Sequence, residues 1–378
     1  MKNLIRLKES RAIRLAASTV AVAAAVAGAT GIVAGQGTAA RTITAGAAPQ
    51  FLNNGELTGA SLENAVLTVE GTNASDTIAL RLQAGQPGIL QVDVGDDGSA
   101  EFSFNRAEIA EIFVNAGNGG DSVSIDESNG VFSNVIPTTI AGGNGSDRLV
   151  GGSGTGTIFG GNGNDTLAGG NGNETLLGGN GNDSIDGNRG NDVGVLGNGD
   201  DTFVWDPGDG SDVVEGQNGH DTMVFNGAAA AEHFDLTANG NRLRFFRDVG
   251  NITMDTDGVE RVEATTLGGA DVVTVTDLRR TDVSELDVDL AATLGGATGD
   301  GQPDSVVVNG TDADDTIEVS GDAAGVKVSG LVPTIQVFHP EVANDRLEIK
   351  TLAGTDTVDS ADLAAGAIQL FVDGVLVP

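Results

Sequence analysis

The stretch from Gly142 to Val204 repeats with a period of nine residues. Read in nines, it runs GGNGSDRLV, GGSGTGTIF, GGNGNDTLA, GGNGNETLL, GGNGNDSID, GNRGNDVGV and LGNGDDTFV. The seven units share the pattern G-G-x-G-x-D-x-U-x, in which U is a large apolar residue. Neither a helix nor an ordinary sheet explains a period of nine, so the stretch must be a stack of similar units.

Each unit divides into a turn and a short strand. Six residues with repeated glycines suit a sharp turn, because glycine accepts positive φ angles. The last three residues form a strand, and only the eighth points inward. The eighth positions form an apolar row with one gap at Gly194: Leu149, Ile158, Leu167, Leu176, Ile185, Gly194 and Phe203. Two units are expected to make one coil, so that residues 18 apart stack at about 4.8 Å.

Stacking makes the sixth position chemically informative. One side of the coil carries an unbroken column, Asp147, Asp165, Asp183 and Asp201. Carboxylates about 4.8 Å apart repel by roughly 1 kcal/mol in bulk water and about 3 kcal/mol near a protein surface. A cation between neighbours removes this repulsion, and calcium takes carboxylate and backbone carbonyl oxygens in a flexible shell. The pattern therefore predicts a row of calcium sites.

The opposite side of the coil carries a poorer set. Gly156, Glu174 and Asp192 stand there, and the column resumes at Asp212 because Gly210 occupies the expected position. Glycine turns also expose carbonyl oxygens. The candidate metal-ligating residues are Asp147, Asp165, Asp183, Asp201, Glu174, Asp192 and Asp212, with the turn residues Gly142, Asn144, Gly160, Asn162, Gly169, Asn171, Gly178 and Asn180. A flexible Gly/Asn/Asp-rich linker is the alternative, and the phase of the apolar row argues against it.

The repeats resemble the hemolysin-type (RTX) calcium-binding nonapeptide repeat. The run WDPGDGSD after the block is typical of such proteins, so the resemblance extends to about residue 225. It implies a bacterial secreted protein with an all-β fold: a parallel β-roll or β-helix solenoid, flanked by degenerate short-strand β modules. Trp205 is expected to close the apolar row, and Asp206, Asp209 and Asp212 are dense enough to hold one more calcium ion.

Composition limits the possible partners. The formal charge of −35 excludes binding of nucleic acid or anionic lipid by charge and favours cations. Cysteine is absent and there is no tyrosine, so disulfides, thiolate metal sites and a large aromatic core are excluded. Residues 1–40 combine five basic residues with an Ala/Val-rich segment and small residues for cleavage, which predicts an export signal. A single membrane anchor is the alternative. RTX toxins generally use a C-terminal secretion signal, so this chain departs from them.

Period-two alternation predicts short strands outside the block. The motifs GTNASDTIAL, GQNGHDTMVF and GTDADDTIEV each start a set of strands that ends on a second Gly/Asp turn. Three degenerate modules are predicted, with the aspartate pairs Asp76/Asp121, Asp221/Asp271 and Asp315/Asp356 capping turns rather than binding calcium. The predicted organisation is a signal peptide (1–40), a disordered lead-in (41–64), a β module (65–141), the nonapeptide block (142–215) and two further β modules (216–309 and 310–378).

No catalytic residue or organic cofactor is predicted. The three histidines, His220, His233 and His339, form no H-E-x-x-H motif, and no G-x-S-x-G elbow is present. The predicted function is that of a secreted, calcium-binding structural or surface protein, not inserted in a membrane, with a cell-surface or matrix polymer as a possible partner. Two alternatives stay open: a calcium-dependent extracellular enzyme such as a polysaccharide-acting β-helix, and an adhesin or ice-binding solenoid. The last would use a flat array of Thr157, Thr166, Thr175, Ser184 and Thr202, interrupted by Val193.

Overall fold

A computed structural model describes residues 32–33, 41–42 and 59–378 of the chain. Strands Ile32–Val33 (β1) and Arg41–Thr42 (β2) pair antiparallel and belong to a unit distinct from Asn53–Pro378. The predicted signal peptide lies outside the described residues except for β1. Among the described residues, the only helices are the single 3-10 turns Arg106–Glu108 and Val249–Asn251, so none is suited to crossing a bilayer.

Residues 59–378 form two long sheets. The first sheet contains Gly59–Glu63 (β3), Val66–Glu70 (β4), Glu111–Asn118 (β8), Thr138–Asn144 (β10), Gly156–Asn162 (β12), Thr175–Asn180 (β14), Val193–Asn198 (β16), Val213–Asn218 (β18), His233–Asn239 (β20), Arg242–Arg247 (β21), Ile252–Asp257 (β22), Val272–Val275 (β24), Ser305–Asn309 (β26), Arg346–Lys350 (β30), Gln369–Val372 (β32) and Val375–Leu376 (β33).

The second sheet runs alongside it. It contains Thr77–Gln83 (β5), Gln86–Val94 (β6), Phe102–Asn105 (β7), Ser122–Asp126 (β9), Arg148–Val150 (β11), Thr166–Gly170 (β13), Ser184–Asn188 (β15), Thr202–Trp205 (β17), Thr222–Asn226 (β19), Arg261–Thr265 (β23), Glu285–Asp289 (β25), Thr316–Asp322 (β27), Gly325–Ser329 (β28), Thr334–Phe338 (β29) and Thr357–Asp359 (β31).

Successive coils of the nonapeptide block stack in parallel with the predicted register. In the first sheet Ile158 pairs with Leu176, and in the second Leu167 pairs with Ile185, each a step of 18 residues. Two nonapeptides therefore make one coil, with one strand in each sheet. The all-β parallel solenoid is confirmed.

The apolar row is the core of the block. Its six large side chains are all buried, and the row divides alternately between the two sheets. The gap at Gly194 is filled from the other sheet: a Cβ there would lie 2.7 Å from Cε2 of Phe203. A large residue beside a small one thus preserves close packing.

Trp205 continues this core, as predicted. The indole is fully buried and stacks on Phe225 with ring centroids 4.1 Å apart. Phe225 in turn contacts Phe245 and Phe234, with centroids 4.3 Å and 5.6 Å apart. These four rings form the junction between the block and the coils that follow it.

The sheets continue through the predicted module boundaries. β10, which spans the first boundary, pairs with β8 before it and β12 after it, and β17 of the block pairs with β19 beyond the second boundary. Antiparallel hairpins lie at both ends, β3–β4 at the start and β32–β33 at the finish. Such hairpins cover the open end of a solenoid, which would otherwise expose unpaired strand edges.

One prediction for the lead-in needs correction. Residues 59–63 were expected to be disordered, but they form β3 against β4. Asn64 and Ala65 have φ of 53° and 65°, the two positive angles of a tight hairpin turn. Ala60 and Leu62 pack on the core, which stabilises this edge strand.

Candidate metal centre in the stacked turns

The turns that lead into the second sheet share one conformation. In the first of them within the block, the second and fourth residues, Gly143 and Gly145, have φ of 110° and 126°. The next turn repeats this with 117° at Gly161 and 127° at Gly163. These angles lie in the region that favours glycine, which explains the spacing G-G-x-G.

The four predicted aspartates of this side stack in one column. The backbone N–H of Asp147 donates to Oδ1 of Asp165 over 2.8 Å, and that of Asp165 donates to Oδ1 of Asp183 over 2.8 Å. Asp183 donates in the same way to Asp201 over 2.7 Å. Each aspartate is at most 3% exposed. One carboxylate oxygen of each residue therefore caps the preceding coil.

The second carboxylate oxygen has no protein partner. Oδ2 of Asp147, Asp165, Asp183 and Asp201 is buried and accepts no hydrogen bond. Buried polar atoms are nearly always paired, so an unpaired charged oxygen in four successive turns requires an explanation. A cation is one partner that would satisfy all four.

The first glycine of each unit provides space beside this oxygen. A Cβ on Gly160 would lie 2.5 Å from Oδ2 of Asp165 and 2.6 Å from the carbonyl oxygen of Gly178 in the next coil. At Gly142 the equivalent oxygens belong to Asp147 and Gly160, and both lie closer than 3.0 Å. A carboxylate oxygen and a carbonyl oxygen thus converge beside Gly142 and Gly160, where an added Cβ would contact both.

Burial makes these carboxylates costly to ionise. It raises the pKa of Asp165 to about 7, and the charges of Asp183 and Asp147 add to the effect. The pKa of Asp183 is raised to about 6 by burial, with the charge of Asp201 adding to it. A bound cation favours the charged form and would reverse these shifts.

The column extends beyond the seven predicted units. Asp121 precedes it and Asp221 follows it: Asp121 N–H donates to Asp147, and Asp201 N–H donates to Asp221, over 2.8 Å and 2.9 Å. Both have a buried, unpaired Oδ2, and burial raises both pKa values to about 6. Both belong to this row, and sequence reasoning had assigned them to flanking modules.

Four of the flanking motifs, at 116–121, 216–221, 266–271 and 351–356, are degenerate nonapeptide turns, contrary to the sequence interpretation, whereas the turns at 71–76 and 310–315 have no positive φ at Thr72 or Thr311. Gln217, Leu267 and Leu352 have φ of 78°, 65° and 66° at the position of the second glycine. Their variable spacing comes from hairpins inserted between turns, since the turns themselves keep the same conformation. The motif AGNGGD (116–121) has glycines at the second and fourth positions, and this sequence signal could have identified it as a nonapeptide turn.

The predicted aspartate pairs have different outcomes. Asp76 N–H donates to Asp121 and Asp315 N–H donates to Asp356, each over 2.8 Å, so Asp121 and Asp356 cap backbone N–H groups as predicted and the two members of each pair are neighbours. Asp221 and Asp271 are not paired. Asp221 N–H donates to Glu260, whereas Asp271 N–H donates to Asp304 in a separate column that precedes strands of the first sheet.

The opposite side of the block holds Glu174, Asp192 and Asp212. Glu174 N–H donates to Asp192 over 2.6 Å, and Asp192 N–H donates to Asp212 over 2.8 Å, so the register slips by two residues where predicted. Burial raises the pKa of Glu174 to about 8, of Asp192 to about 7 and of Asp212 to about 8. Beside Gly169, a carbonyl oxygen of Gly187 and Oε2 of Glu174 converge.

The predicted asparagines form a side-chain ladder on the exposed edge of the coil. Asn162 Nδ2 donates to Asn144 Oδ1 over 2.8 Å, and Asn180 donates to Asn162 over 2.7 Å. The ladder continues to Asn218. Asn171 lies on the other edge, 3.5 Å from Ser153 Oγ. The amides of Asn144, Asn162 and Asn180 are thus engaged with one another.

The acidic residues after Trp205 close a turn. Asp206 N–H donates to Asp209 Oδ2 over 2.7 Å, and Trp205 Nε1 donates to the carbonyl oxygen of Gly210 over 2.8 Å. Asp212 belongs to the column already described. Within the described residues, no three Asp, Glu or His side chains converge as a metal-binding group. A metal in these turns would therefore take backbone oxygens besides the carboxylates.

The remaining polar residues are divided by the fold. The register places Thr157 and Thr175 on the first sheet but Thr166, Ser184 and Thr202 on the second, so they do not form one flat array. His220 is an exposed turn residue whose N–H donates to Asp200. His339 Nδ1 lies 2.7 Å from Asp289 Oδ1.

Comparison with known families agrees with this geometry. The model of the RTX calcium-binding nonapeptide repeat matches in four copies, over residues 138–167, 168–203 and 208–227. None of the curated proteins matches the chain. Calcium is accordingly the expected ion. The repeat signature, the two-sheet coil and the stacked turns together identify residues 138–227 as RTX calcium-binding nonapeptide repeats folded as a β-roll.

Proposed function

We propose that this is an extracellular structural or surface-associated protein whose β-roll is ordered by calcium held between stacked turns. The observation that carries the proposal is the unpaired, buried Oδ2 in each aspartate of one column, namely Asp121, Asp147, Asp165, Asp183, Asp201 and Asp221. Each of these oxygens is charged when ionised and has no donor within the protein.

The residues around these oxygens fit calcium. Asp165 Oδ2 and the carbonyl of Gly178 converge at one turn, and Asp147 Oδ2 and the carbonyl of Gly160 at the preceding one. Carboxylate and carbonyl oxygens are the ligands that calcium prefers, and its flexible coordination allows water to complete the shell. Bound calcium would supply the positive charge that these buried carboxylates lack.

The side chains of the block have separate tasks in this arrangement. The aspartate Oδ1 atoms fix the distance between coils by accepting backbone N–H groups. The first glycines keep the space beside Oδ2 open. The row on the side of Glu174 begins at Gly156, which has no carboxylate, so we assign it fewer or weaker sites.

Calcium concentration would then control folding. A ligand that binds only the folded state stabilises it by RT ln(1 + [Ca]/Kd). At millimolar calcium and a Kd of about 0.1 mM, which is plausible for an extracellular site, each site contributes about 1.4 kcal/mol. Several such sites are comparable with the net stability of a domain.

The proposed location rests on residues 1–40, whose composition is that of an export signal. An exported protein meets abundant calcium, and the charge of −35 favours cations over nucleic acid. We assign no catalytic activity to the protein. Its partner would be a cell-surface or matrix polymer reached through bound calcium.

The test is far-UV circular dichroism of the full chain during calcium titration from EGTA, with magnesium as control. A cooperative gain of β signal with calcium, absent with magnesium, is the expected result. A β-rich spectrum in EGTA that does not respond to calcium, together with an unchanged melting temperature, would overturn the proposal.

A further inference from the structure

A second acidic column lies beyond the nonapeptide block. Glu232, Asp271, Asp304 and Asp345 directly precede four neighbouring strands of the first sheet, β20, β24, β26 and β30. Each backbone N–H donates to the next carboxylate, over 2.8, 2.8 and 3.0 Å. The steps between them are 39, 33 and 41 residues. No nonapeptide spacing connects them, and Asp271 lies outside the residues that match the repeat family.

The turn before Asp271 has the conformation of the block turns that end at Asp147 and Asp165. Leu267 and Gly269 have φ of 65° and 136° at the second and fourth positions, as Gly143 and Gly145 have 110° and 126°. Thr266 stands where those turns have their first glycine. Side chains also occupy that position before Asp121 and Asp201, namely Ala116 and Leu196, so the turn tolerates them.

The members of the column differ in the partners of their second oxygens. Glu232 Oε2 accepts the N–H of Ala228, and Oε1 accepts Nε of Arg247 over 2.6 Å. Asp345 Oδ2 accepts the N–H of Glu341 over 2.7 Å. Asp271 Oδ2 is buried and has no partner, in a residue only 1% exposed. The carboxylates at the two ends of the column are satisfied by the protein, whereas Oδ2 of Asp271 in its interior is not.

Further negative charge surrounds Asp271. Asp304 is the next residue of the column, since Val272 and Ser305 are directly paired in the sheet. Asp300 accepts the N–H of Gly269 over 2.7 Å, within the same turn. Within the described part of the chain, no arginine, lysine or histidine forms an ion pair with Asp271, Asp304 or Asp300. A cation is therefore the missing partner.

We propose that Asp271 and Asp304 bind a divalent cation of the calcium type between the turns at residues 266–271 and 299–304. This site is separate from the nonapeptide rows and goes beyond the proposed function. The ion would connect the turns that precede β24 and β26, in a part of the solenoid that the repeat family does not match.

The test is calcium stoichiometry of the full chain by equilibrium dialysis with radioactive calcium at pH 8. Asp271→Asn should bind one ion fewer than the unmodified chain. Asp315→Asn is the matched control: Asp315 also caps a turn outside the block, but its oxygens accept the N–H and hydroxyl of Thr311. It should bind the full number of ions. An unchanged number for Asp271→Asn, with an unchanged circular dichroism spectrum, would overturn the proposal.

Hydrogen exchange locates the ion independently and covers the case in which Asp271→Asn fails to fold. In the unmodified chain, calcium should raise amide protection at residues 266–275 and 299–309 at least tenfold. It should do so in Asp165→Asn as well, where the nonapeptide row is damaged. Protection confined to 142–227 would refute the Asp271 site and leave the proposed function intact. Protection at 266–309 alone would support the site and refute the proposed function.

Discussion

The nonapeptide block and the outermost coils both place an aspartate at the sixth position of a turn but satisfy its carboxylate differently. The second residue of the turn has a positive φ in the block, as at Gly143 and Gly161, whereas Thr72 and Thr311 do not. In the outer coils Asp76 Oδ2 accepts the N–H and the hydroxyl of Thr72, over 2.7 Å and 3.0 Å. Asp315 accepts the N–H of Thr311 at Oδ2 and the hydroxyl of Thr311 at Oδ1. In the block, the residue after the first glycine is another glycine, as at Gly161, and Asp165 Oδ2 has no donor. The pattern G-T-x-x-x-D provides its own cap, whereas G-G-x-G-x-D leaves an oxygen for calcium.

This comparison separates two roles of the aspartate at the sixth position, capping of the neighbouring coil and calcium binding, which the sequence pattern alone does not distinguish. An aspartate at the sixth position caps the neighbouring coil in both regions, through Oδ1 of Asp183 in the block and Oδ1 of Asp356 in the outer coils. Calcium is needed only where the second oxygen lacks a protein donor. Capping thus makes the solenoid continuous, while under the proposed function the unpaired oxygens would make one part of it respond to calcium.

Calcium removal should affect the two regions unequally. In EGTA, amides of the strands between 142 and 204 should exchange faster. Their free energy of opening should fall by about 4 kcal/mol if three sites each contribute about 1.4 kcal/mol. Strands β4, β5 and β27 should keep most of their protection, because the turns that precede β5 and β27 are capped by Thr72 and Thr311. Hydrogen exchange with peptide-level mass spectrometry measures this. Uniform loss over 59–378 would show instead that the whole solenoid folds as one calcium-dependent unit.

Low pH should partly substitute for calcium in stabilising the folded state. Burial raises the pKa of Asp165 to about 7 and of Asp183 to about 6, above their ordinary value of 3.8. The folded state therefore binds more protons than the unfolded state between about pH 4 and 7, and calcium-free stability falls as pH rises through this window. In EGTA the melting temperature should be higher at pH 5.5 than at pH 8.

The same acid should displace calcium, because protons and calcium compete for the same oxygens. With saturating calcium, the advantage of pH 5.5 over pH 8 should shrink or reverse. Asp165→Asn/Asp183→Asn is the control, since it removes two of the titrating groups and should flatten the pH dependence in EGTA. A calcium-free melting temperature that rises from pH 5.5 to pH 8 would contradict the assignment.

Gly160→Ala should remove one calcium site. The added Cβ would lie 2.5 Å from Asp165 Oδ2 and 2.6 Å from the carbonyl oxygen of Gly178, which is the space assigned to the ion. We expect overpacking to lower the free energy of unfolding by about 1–3 kcal/mol. Equilibrium dialysis should show one bound calcium ion fewer per chain. Gly88→Ala is the matched control, because no atom lies within 4 Å of its Cβ position. Full calcium stoichiometry in Gly160→Ala would place the ion elsewhere.

The two sides of the block should also differ. Asp165→Ala and Asp183→Ala each disturb an interior member of the unbroken column, so two neighbouring sites are affected. Glu174→Ala acts on the shorter row that begins at Gly156. Calcium titration calorimetry should show a larger loss of calcium-binding free energy for the two aspartate variants, up to about 3 kcal/mol, than for Glu174→Ala, about 1.4 kcal/mol. Equal losses would refute the two-sided arrangement.

Much of the block was predictable because its information is local. A step of 18 residues places Leu167 on Ile185 and Asp165 on Asp183, so both the core and the column follow from the period alone. The same reasoning located the slip from Asp192 to Asp212. It missed how Phe203 fills the gap at Gly194, because that contact joins opposite sheets.

The outer coils were harder to predict because hairpins interrupt the period. Steps of 45, 26 and 39 residues separate Asp76, Asp121 and Asp147 at one end and Asp221 from Glu260 at the other. Leu267 and Gln217 adopt positive φ without being glycine, so the turn continues where its usual residue is absent. Only the register between strands shows that these distant turns belong to the same columns.

The smallest expected effect tests the self-capped turn directly. Thr72→Val removes the hydroxyl that donates to Asp76 Oδ2 over 3.0 Å but keeps the backbone N–H bond. A hydrogen bond to a charged group contributes about 1.5–3 kcal/mol, and the remaining N–H limits the loss to about 1 kcal/mol. Urea unfolding should show the same loss in EGTA and in calcium, because no ion occupies this turn. If calcium restores the stability of Thr72→Val, then Asp76 also binds the ion once its cap is removed, and the difference between the two regions reduces to a single hydroxyl group.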